Sequence, residues 1–500
     1  MGSYLLGIDI GTSACKTALF HARGGAVAVR ECPYGVSYPQ PGWAQQDPDD
    51  WWKAAISGIR GVLEESGVRA ADIAGIGVDG QSWAMVAVDK NGDVLHPSPI
   101  WTDTRAGGEC AQMMRAVGEE TWFGCSGNAV TPGHTMPKVL WLKNHFPDVY
   151  ARAEKVLQSN GYIVYRLTGS MTQDLSQGYG WNCFDMERGE WNAALCREAG
   201  IRPELLPRLC ECSEIAGRLT RQAAALTGLC EGTPVVAGGL DAACSTLGVG
   251  VIHAGETQEQ GGQAGGMSIC MDTCSPVRSL ILSRHVAPRR WLLQGGTTGG
   301  GGALKWFREQ LCPQMSFASM SEAAAEAPCA GEVVFLPYMA GERSPLWNPD
   351  ARGVFFGLSF ATTRGQMIRA VMEGVAFSLR HNLDTAEAAG VCVGTLRATG
   401  GSCNSPTWMQ IKADATGRRI EVPQAQTAAS WGAAILAGMG SGVFGSWEEA
   451  VGGIQVTRSY EPEAKRIGVY EEQYQKYLRL IETLDPLMHQ ESGETERSRK

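Results

Sequence analysis

The stretch Tyr4-Leu5-Leu6-Gly7-Ile8-Asp9-Ile10-Gly11-Thr12-Ser13 is an apolar run that carries one acid and ends in a tight turn. It predicts a buried strand, and residues 16–20 predict a second strand leading away, so we expect a β-hairpin. Backbone N–H groups and the Thr12 and Ser13 hydroxyls suit phosphate oxygens, while Asp9 suits Mg²⁺ or its water. The turn therefore indicates an ATP phosphate clamp, with an ordinary hairpin as the alternative.

Length and charge restrict the class of protein. Five hundred residues predict two large domains, because one hydrophobic core rarely serves so long a chain. The formal net charge of −9 and the lack of a long Lys/Arg run argue against nucleic acid or an anionic membrane as the main partner. The sequence has neither a signal-peptide pattern nor an apolar run of membrane-spanning length. We expect a cytoplasmic protein, with a homodimer as a possible assembly.

The sixteen cysteines are scattered over the chain. The tightest pairs are Cys210 with Cys212 and Cys270 with Cys274, and neither has the Cys/His spacing of a structural zinc site. We interpret the cysteines as buried free thiols and assign none of them a catalytic role.

Alternating strand and helix patterns predict an α/β architecture whose two halves repeat one theme, a strand that opens into a glycine-rich or hydroxyl-bearing turn. Asp47 and Pro48 predict the start of a helix that ends near Gly67. Strands are predicted at 73–78, 83–88, 234–239 and 332–336, and residues 396–401 predict a strand that runs into a tight turn. Strand-turn elements are predicted at 257–269 and 291–304, and helices at 106–117, 137–144, 240–247, 364–388 and 430–439. The domain assignment is 1–248, 249–485 and a polar tail at 486–500, with a frayed end from 491.

Asp241 is a candidate for proton transfer. It follows a short apolar strand and lies between Gly238-Gly239 and a run of small residues. Phosphoryl transfer to an alcohol uses such a carboxylate to accept the hydroxyl proton while the oxygen attacks the γ-phosphate. The alternative is that Asp241 caps the helix that follows it.

Two other segments suit ligands. Gly400-Gly401 lets a nucleotide approach the backbone, with Asn404 and Ser405 as polar contacts, or else simply joins a strand to a helix.

Gln81, Trp83 and Asp103 combine an aromatic face with hydrogen-bonding groups, as a sugar site requires. The alternatives are a core position for Trp83 and a structural ion pair between Asp103 and Arg105.

Together these segments resemble the FGGY family of carbohydrate kinases, most closely its xylulokinase branch. The matching segments follow the family's order along nearly the whole chain: 7–13, 41–48 with 51–52, 80–81, 100–105, 132–138 with 141, 238–241, 335–345, 353–358, and 400–408 with 413–414 and 417.

The resemblance implies a two-domain actin/Hsp70-like (ribonuclease H-like) ATPase fold with the active site in the interdomain cleft, and ATP and Mg²⁺ as cofactors. It implies that Asp241 is the catalytic base and that Asp9, with Asp241, holds the metal. The implied nucleotide contacts are Thr12, Ser13, Lys16, Gly262, Gln263, Gly301, Gly400, Gly401, Asn404 and Ser405. The implied sugar contacts are Gln81, Ser82, Trp83, Asp103 and Asp241.

The chain departs from the family's pattern in two places. Xylulokinases usually carry Met-His-Gly after the glutamine, whereas this chain has Ser82-Trp83-Ala84, so the identity of the sugar is open. The second phosphate loop is commonly Gly-Thr-Ser-Gly, whereas residues 262–265 read Gly-Gln-Ala-Gly. The Gln263 amide is still a donor, and one lost contact costs about 1–3 kcal/mol.

The implied activity is ATP-dependent phosphorylation of a primary hydroxyl of a small ketose or polyol. D-xylulose is the leading candidate, and another ketopentose, a ketohexose or a tetritol are alternatives. A non-catalytic sugar- or nucleotide-binding regulator on the same fold is the alternative of another class, and the presence of both Asp9 and Asp241 argues against it. An actin- or Hsp70-like assembly protein would need a further binding module.

Overall fold

The computed structural model describes residues 4–327, 331–424 and 427–497. The strands are β1 Tyr4–Ile10, β2 Ala14–His21, β3 Ala26–Pro33, β4 Gln45–Gln46, β5 Ile73–Gly80, β6 Val86–Val88, β7 Ser98–Pro99, β8 Lys155–Leu157, β9 Thr172–Asp174, β10 Phe184–Asp185, β11 Glu190–Trp191, β12 Arg208–Cys210, β13 Ile215–Arg218, β14 Pro234–Val236, β15 Gly239–Leu240, β16 Thr257–Gly261, β17 Gly265–Met271, β18 Ile281–Arg284, β19 Trp291–Thr297, β20 Val334–Leu336, β21 Val354–Phe356, β22 Leu396–Thr399, β23 Ile420–Pro423 and β24 Val456–Tyr460. The α-helices are α1 Pro48–Ser66, α2 Gly107–Val117, α3 Glu119–Ser126, α4 Thr135–His145, α5 Pro147–Arg152, α6 Ser159–Thr168, α7 Ala193–Glu198, α8 Arg221–Thr227, α9 Asp241–Gly248, α10 Gly300–Leu311, α11 Phe317–Glu326, α12 Arg364–Ala388, α13 Pro406–Thr416, α14 Ala428–Gly440, α15 Trp447–Gly452 and α16 Ala464–Arg497.

The first large sheet has the strand order β13-β14-β5-β1-β2-β3, with β15 beside β5. Strands β1, β2 and β3 form an antiparallel meander, whereas β5 runs parallel to both β1 and β14, and β13 is antiparallel to β14. The predicted hairpin is confirmed, and its register places Asp9 opposite Lys16. Apolar residues of β1 are fully buried, as the opening run predicts.

The second large sheet has the order β18-β19-β17-β16-β22-β23-β24 and repeats the same plan. Its β16, β17 and β19 are antiparallel neighbours, while β22 and β23 continue in parallel. The predicted repetition of one theme in both halves is therefore confirmed. The turn between β16 and β17 occupies the place that residues 11–13 occupy in the first sheet.

Helix α14 crosses back to the first sheet although it lies late in the sequence, and it packs on β1 and β5. The packing needs glycine on the strands. A Cβ at Gly7 would lie 1.9 Å from the carbonyl oxygen of Ser430, and a Cβ at Gly77 would lie 1.9 Å from that of Ala433. The predicted helix at 430–439 is therefore present in α14, and its close packing on β1 and β5 joins the two halves of the chain.

Local signals placed several helices correctly. Asp47 accepts a hydrogen bond from the Asp49 N–H, Pro48 is the first helical residue and Gly67 is left-handed, as predicted for α1. Helix α12 has the predicted bounds and begins with a capping box formed by Thr363 and Gln366.

Three predicted elements differ in the structure. The strand predicted at 83–88 is confined to β6, because Trp83 has a φ of +60°, which no strand residue adopts. The strand predicted at 234–239 is divided into β14 and β15 by Gly238, whose φ is +79°. The end predicted to be frayed is helical as far as Arg497, and residues 498–500 lie outside the described range.

Within the described residues, none of the helices combines the length and apolar character needed to cross a membrane.

Candidate active site

Three carboxylates meet at one edge of the first sheet. Asp9 is the penultimate residue of β1 and pairs in register with Asp79 on the parallel strand β5. Asp79 also pairs with Gly239 of β15, directly before Leu240 and Asp241. Asp9 and Asp241 keep accessible surface, whereas Asp79 is fully buried and neither of its oxygens accepts a hydrogen bond from the described part of the chain. The structure thus brings together the two acids predicted to do the chemistry.

Burial and mutual repulsion change the acidity of these groups. Burial raises the pKa of Asp241 to about 7, with the Asp9 carboxylate as the second cause. Burial also raises the pKa of Asp9, which the neighbouring Asp79 and Lys16 side chains oppose. The pKa of Asp79 is raised well above its usual value by burial and by the charges of Asp9 and Asp241. A carboxyl near neutrality at Asp241 suits a proton acceptor.

The alternative that Asp241 caps the helix is wrong. Leu240 is the N-cap residue, and Asp241 is the first residue of α9. One oxygen of the Asp241 carboxylate, Oδ1, accepts a hydrogen bond from the Ala242 N–H at 2.6 Å. Asp241 therefore bonds to one N–H of the first helical turn but is not the N-cap residue.

The first loop, residues 11–13, is held firmly by its neighbours. Trp101 Nε1 donates to Thr12 Oγ1 at 3.0 Å, and the Tyr34 hydroxyl donates to the Gly11 carbonyl at 2.6 Å. Ser13 is exposed, and Lys16 is partly exposed with its Nζ 3.8 Å from Glu31. Hydroxyl and ammonium groups therefore remain available beside Asp9.

A cavity of about 450 Å³ lies in the second half of the chain. It is lined by the second loop (261–265) and the third loop (400–405), and it includes most of the predicted nucleotide contacts: Gly262, Gln263, Gly301, Gly401, Asn404 and Ser405. Its apolar wall was missed by sequence reasoning and consists of Leu304, Phe317, Ala318, Met372 and Trp408. An apolar slot beside glycine loops suits a nucleotide base and its phosphates.

Backbone contacts fix the shape of these loops. The Gly301 N–H donates to the Gly262 carbonyl at 2.8 Å, which ties the start of α10 to the second loop. Gly400 does not line the cavity but has a φ of +88°, and a Cβ there would lie 2.6 Å from the Gly261 carbonyl oxygen. Ser405 caps α13 by accepting from the Trp408 N–H. The third loop is thus pressed against the second.

A second cavity, of about 270 Å³, is lined by Trp83, Trp101, His134, Arg343 and Trp347 among other residues. Trp83 adopts its left-handed conformation while its indole packs edge-on against His134, with ring centroids 4.6 Å apart. A bulky residue in this region is strained and persists only where its surroundings hold it. Trp83 therefore lines this cavity and also packs against the hydrophobic core, and its contact with a sugar stays a prediction.

The other four predicted sugar contacts, Gln81, Ser82, Asp103 and Asp241, are not among the residues that line this cavity. Gln81 is buried, and its amide donates to Gln46 Oε1 at 2.7 Å. Asp103 forms a fully buried ion pair with Arg105 at 2.8 Å and accepts from the Ala44 N–H at 2.6 Å. For Asp103, the structure matches the ion-pair alternative, because both carboxylate oxygens already have protein partners.

Sequence reasoning missed three residues that shape the site. Asp79 was detectable, since Gly77-Val78-Asp79 repeats the Gly7-Ile8-Asp9 pattern on a neighbouring strand. Lys138 donates to the carbonyls of Trp83, Ile100 and Gly133 at 2.9, 2.7 and 2.5 Å, and burial lowers its pKa to about 7. Tyr179 packs against Trp83 with ring centroids 5.4 Å apart. No local pattern identifies the last two, because their contacts are distant along the chain.

The donor set fits magnesium. Mg²⁺ is usually held by one or two carboxylates together with water and substrate phosphates, and not by an all-protein cage. Asp9 and Asp241 are two accessible carboxylates beside a phosphate-type turn. Among the described residues, no group of three or more His, Cys, Asp or Glu side chains has the arrangement of a complete metal site.

Comparison with known proteins gives the family. Residues 4–248 match the FGGY family of carbohydrate kinases, N-terminal domain, and residues 271–441 match its C-terminal domain. The chain is 32% identical to the xylulose kinase of Bacillus subtilis (strain 168), over 95% of this chain and 96% of that protein. It is 31% identical to the L-xylulose/3-keto-L-gulonate kinase of Escherichia coli (strain K12), over 97% and 98%. The chain belongs to the FGGY family of carbohydrate kinases.

Comparison with solved structures supports the same family and gives the fold. The crystal structure of xylulose kinase from Rhodospirillum rubrum superposes with a TM-score of 0.91 at 32% identity, covering 97% of this chain and 100% of that one. Ligand-bound xylulose kinase from Lactobacillus acidophilus gives 0.90 at 25% identity, covering 96% and 98%. The predicted actin/Hsp70-like fold and the resemblance to the xylulokinase branch are confirmed, and the chain is an ATP-dependent carbohydrate kinase.

Proposed function

We propose that this kinase transfers the γ-phosphoryl group of ATP to a primary hydroxyl of a small ketose, with D-xylulose as the substrate. The observation that carries the proposal is the convergence of Asp9 and Asp241 at one sheet edge. The turn that bears Thr12 and Ser13 follows the same edge, and so does Trp83, which lines the aromatic cavity.

In the proposed reaction, the Asp241 carboxylate accepts the proton of the sugar hydroxyl while that oxygen attacks the γ-phosphorus. The bond between the γ-phosphorus and the β–γ bridging oxygen breaks, and ADP leaves with the charge of that oxygen. Thr12, Ser13 and Lys16 donate to the phosphate oxygens, and the second and third loops hold the rest of the nucleotide.

Asp9 and Asp241 would hold Mg²⁺, which when bound offsets phosphate charge. The raised pKa of both carboxyl groups supports this assignment, because a bound cation would stabilise their ionised forms.

Two facts support a ketose as the substrate. Relatives and structural neighbours that align over nearly the whole chain are named xylulose kinases. The cavity beside Trp83 is small and has aromatic walls, which suits the apolar face of a short sugar. The relative named L-xylulose/3-keto-L-gulonate kinase makes these two ketoses the second candidates.

We further propose a cytoplasmic location. The described cysteines are all free thiols, which is typical of a reducing compartment where ATP is available.

A coupled ADP-release assay with purified protein tests the proposal. D-xylulose should stimulate ADP release more than L-xylulose, 3-keto-L-gulonate, ketohexoses or tetritols do. Asp241→Ala should abolish the stimulation. If no ketose or polyol stimulates ADP release by the wild-type protein, the proposal is wrong and the binding-regulator alternative gains support.

A further inference from the structure

A buried ion pair lies beneath the second and third loops. Lys412, on α13, places its Nζ 2.5 Å from Glu259 Oε1, on β16 just before the second loop. The same ammonium donates to Ser402 Oγ, in the third loop, at 3.0 Å. The side chains of Lys412 and Glu259 are only 1% and 4% exposed. One buried side chain therefore bonds both to the third loop and to the strand that leads into the second loop.

The contact is tight enough to depend on glycine. A Cβ added at Gly261 would lie 1.8 Å from Ser402 Oγ and 3.0 Å from Lys412 Nζ. Gly261 and Ser402 both line the nucleotide cavity, and so does Trp408, whose ring centroid is 5.3 Å from Lys412 Nζ. A shift of this ammonium would therefore move cavity-lining atoms in both loops.

Stability alone does not explain the pair. A buried ion pair is often no more stabilising than apolar residues of the same size, because both charges lose their hydration. Here the second oxygen of Glu259 is buried and has no hydrogen-bond partner in the described part of the chain, which adds to the cost. The ion pair lies where the second and third loops meet, and both loops line the same cavity. This position indicates that the pair orders the two loops.

We propose that Lys412 is a positioning residue for the nucleotide: held by Glu259, it fixes Ser402 and Gly261 so that the second and third loops close on the same phosphates. The second loop lacks the threonine hydroxyl that the family's pattern commonly carries. Its phosphate binding therefore depends more on the position of its backbone. This inference rests on the proposed nucleotide site.

The test is calorimetric binding of Mg-ADP, which does not require turnover, to wild type and to the double variant Lys412→Met/Glu259→Met. Apolar side chains of similar length should keep the melting temperature close to that of wild type. We expect the Kd for Mg-ADP to rise about tenfold, which is 1.4 kcal/mol. In steady-state assays, KM for ATP should rise while KM for the sugar stays within twofold.

Two further variants complete the test. Ser402→Ala removes only the hydroxyl link and should weaken Mg-ADP binding about threefold, even if the double variant fails to fold. Arg397→Met is the matched control, because Arg397 pairs with Glu256 at the opposite end of β22 and β16, and its Kd should match wild type.

The outcomes are distinct. Mg-ADP affinity within twofold of wild type in both the folded double variant and Ser402→Ala would overturn the role of Lys412 and leave the proposed function standing. If the double variant does not fold, unchanged affinity in Ser402→Ala alone would overturn that role. Lack of Mg-ADP binding by wild type would overturn the nucleotide site itself.

Discussion

Among single residues, Asp241 decides how activity depends on pH. The base must be ionised to accept a proton, and burial raises its pKa to about 7. As the pH falls through 7, the protonated fraction grows, so kcat/KM for the sugar at subsaturating Mg-ATP should fall, approaching tenfold per pH unit below about 6. Initial rates between pH 5.5 and 8.5 measure this. A flat profile over that range would contradict Asp241 as the base.

Asp9 should control the response to magnesium. Asp9→Asn removes one of the two accessible carboxylates at the sheet edge, so more Mg²⁺ should be needed for half-maximal activity, by at least tenfold. The variant also removes a charge that raises the pKa of Asp241, so the acid limb of the pH profile should move to lower pH. A variant with the wild-type Mg²⁺ dependence would show that Asp9 has another role.

Trp83 should control sugar choice. Trp83→His replaces an indole on the cavity wall with the imidazole usual in the xylulokinase branch, which changes both volume and hydrogen bonding. We expect the ratio of kcat/KM values for D-xylulose and other ketoses to change about tenfold. Trp83→Phe, which keeps a flat ring without the N–H, is the control. An equal loss for every ketose would mean that Trp83 only supports the fold.

At the scale of elements, the contact of α14 with the first sheet is the joint between the two halves. Gly77→Ala would place a methyl group 1.9 Å from the Ala433 carbonyl oxygen, so the helix must move. We expect a loss of about 1–3 kcal/mol in the free energy of unfolding, measured by chemical denaturation. Gly108→Ala, on α2 where a Cβ meets nothing within 4 Å, should be neutral or stabilising. Equal stabilities for both variants would contradict this packing.

Elements with strong local signals could be predicted from the sequence. The capped helix α1, the long helix α12 and the β1–β2 hairpin depend on residues that are neighbours in the chain. The strand predicted at 83–88 is wrong in its first half, because the conformation of Trp83 depends on the distant residues His134 and Tyr179. Tertiary contacts there override strand propensity.

Across the whole molecule, the candidate site residues that could be predicted are those that carry a local sequence pattern. The turn at 11–13, Asp241 and the glycines near 262 and 401 carry recognisable patterns. The sequence did not show which polar residues are buried. Gln81 and Asp103 were predicted to contact the sugar, but they bond to polar partners inside the first half of the chain. The Lys412–Glu259 pair joins residues 153 positions apart, and only the sheet order brings them together.

Asp241 should take the proton from a primary hydroxyl of the sugar as phosphate is transferred. The most direct measurement is a single turnover of Mg-ATP and D-xylulose, with products identified by phosphorus–proton NMR correlation, for wild type and Asp241→Asn. At saturating Mg²⁺, wild type should form a phosphate ester on a primary carbon in step with ADP, while the variant should transfer phosphate at least a hundredfold more slowly. Equal transfer rates, or inorganic phosphate in place of a sugar phosphate, would contradict the claim.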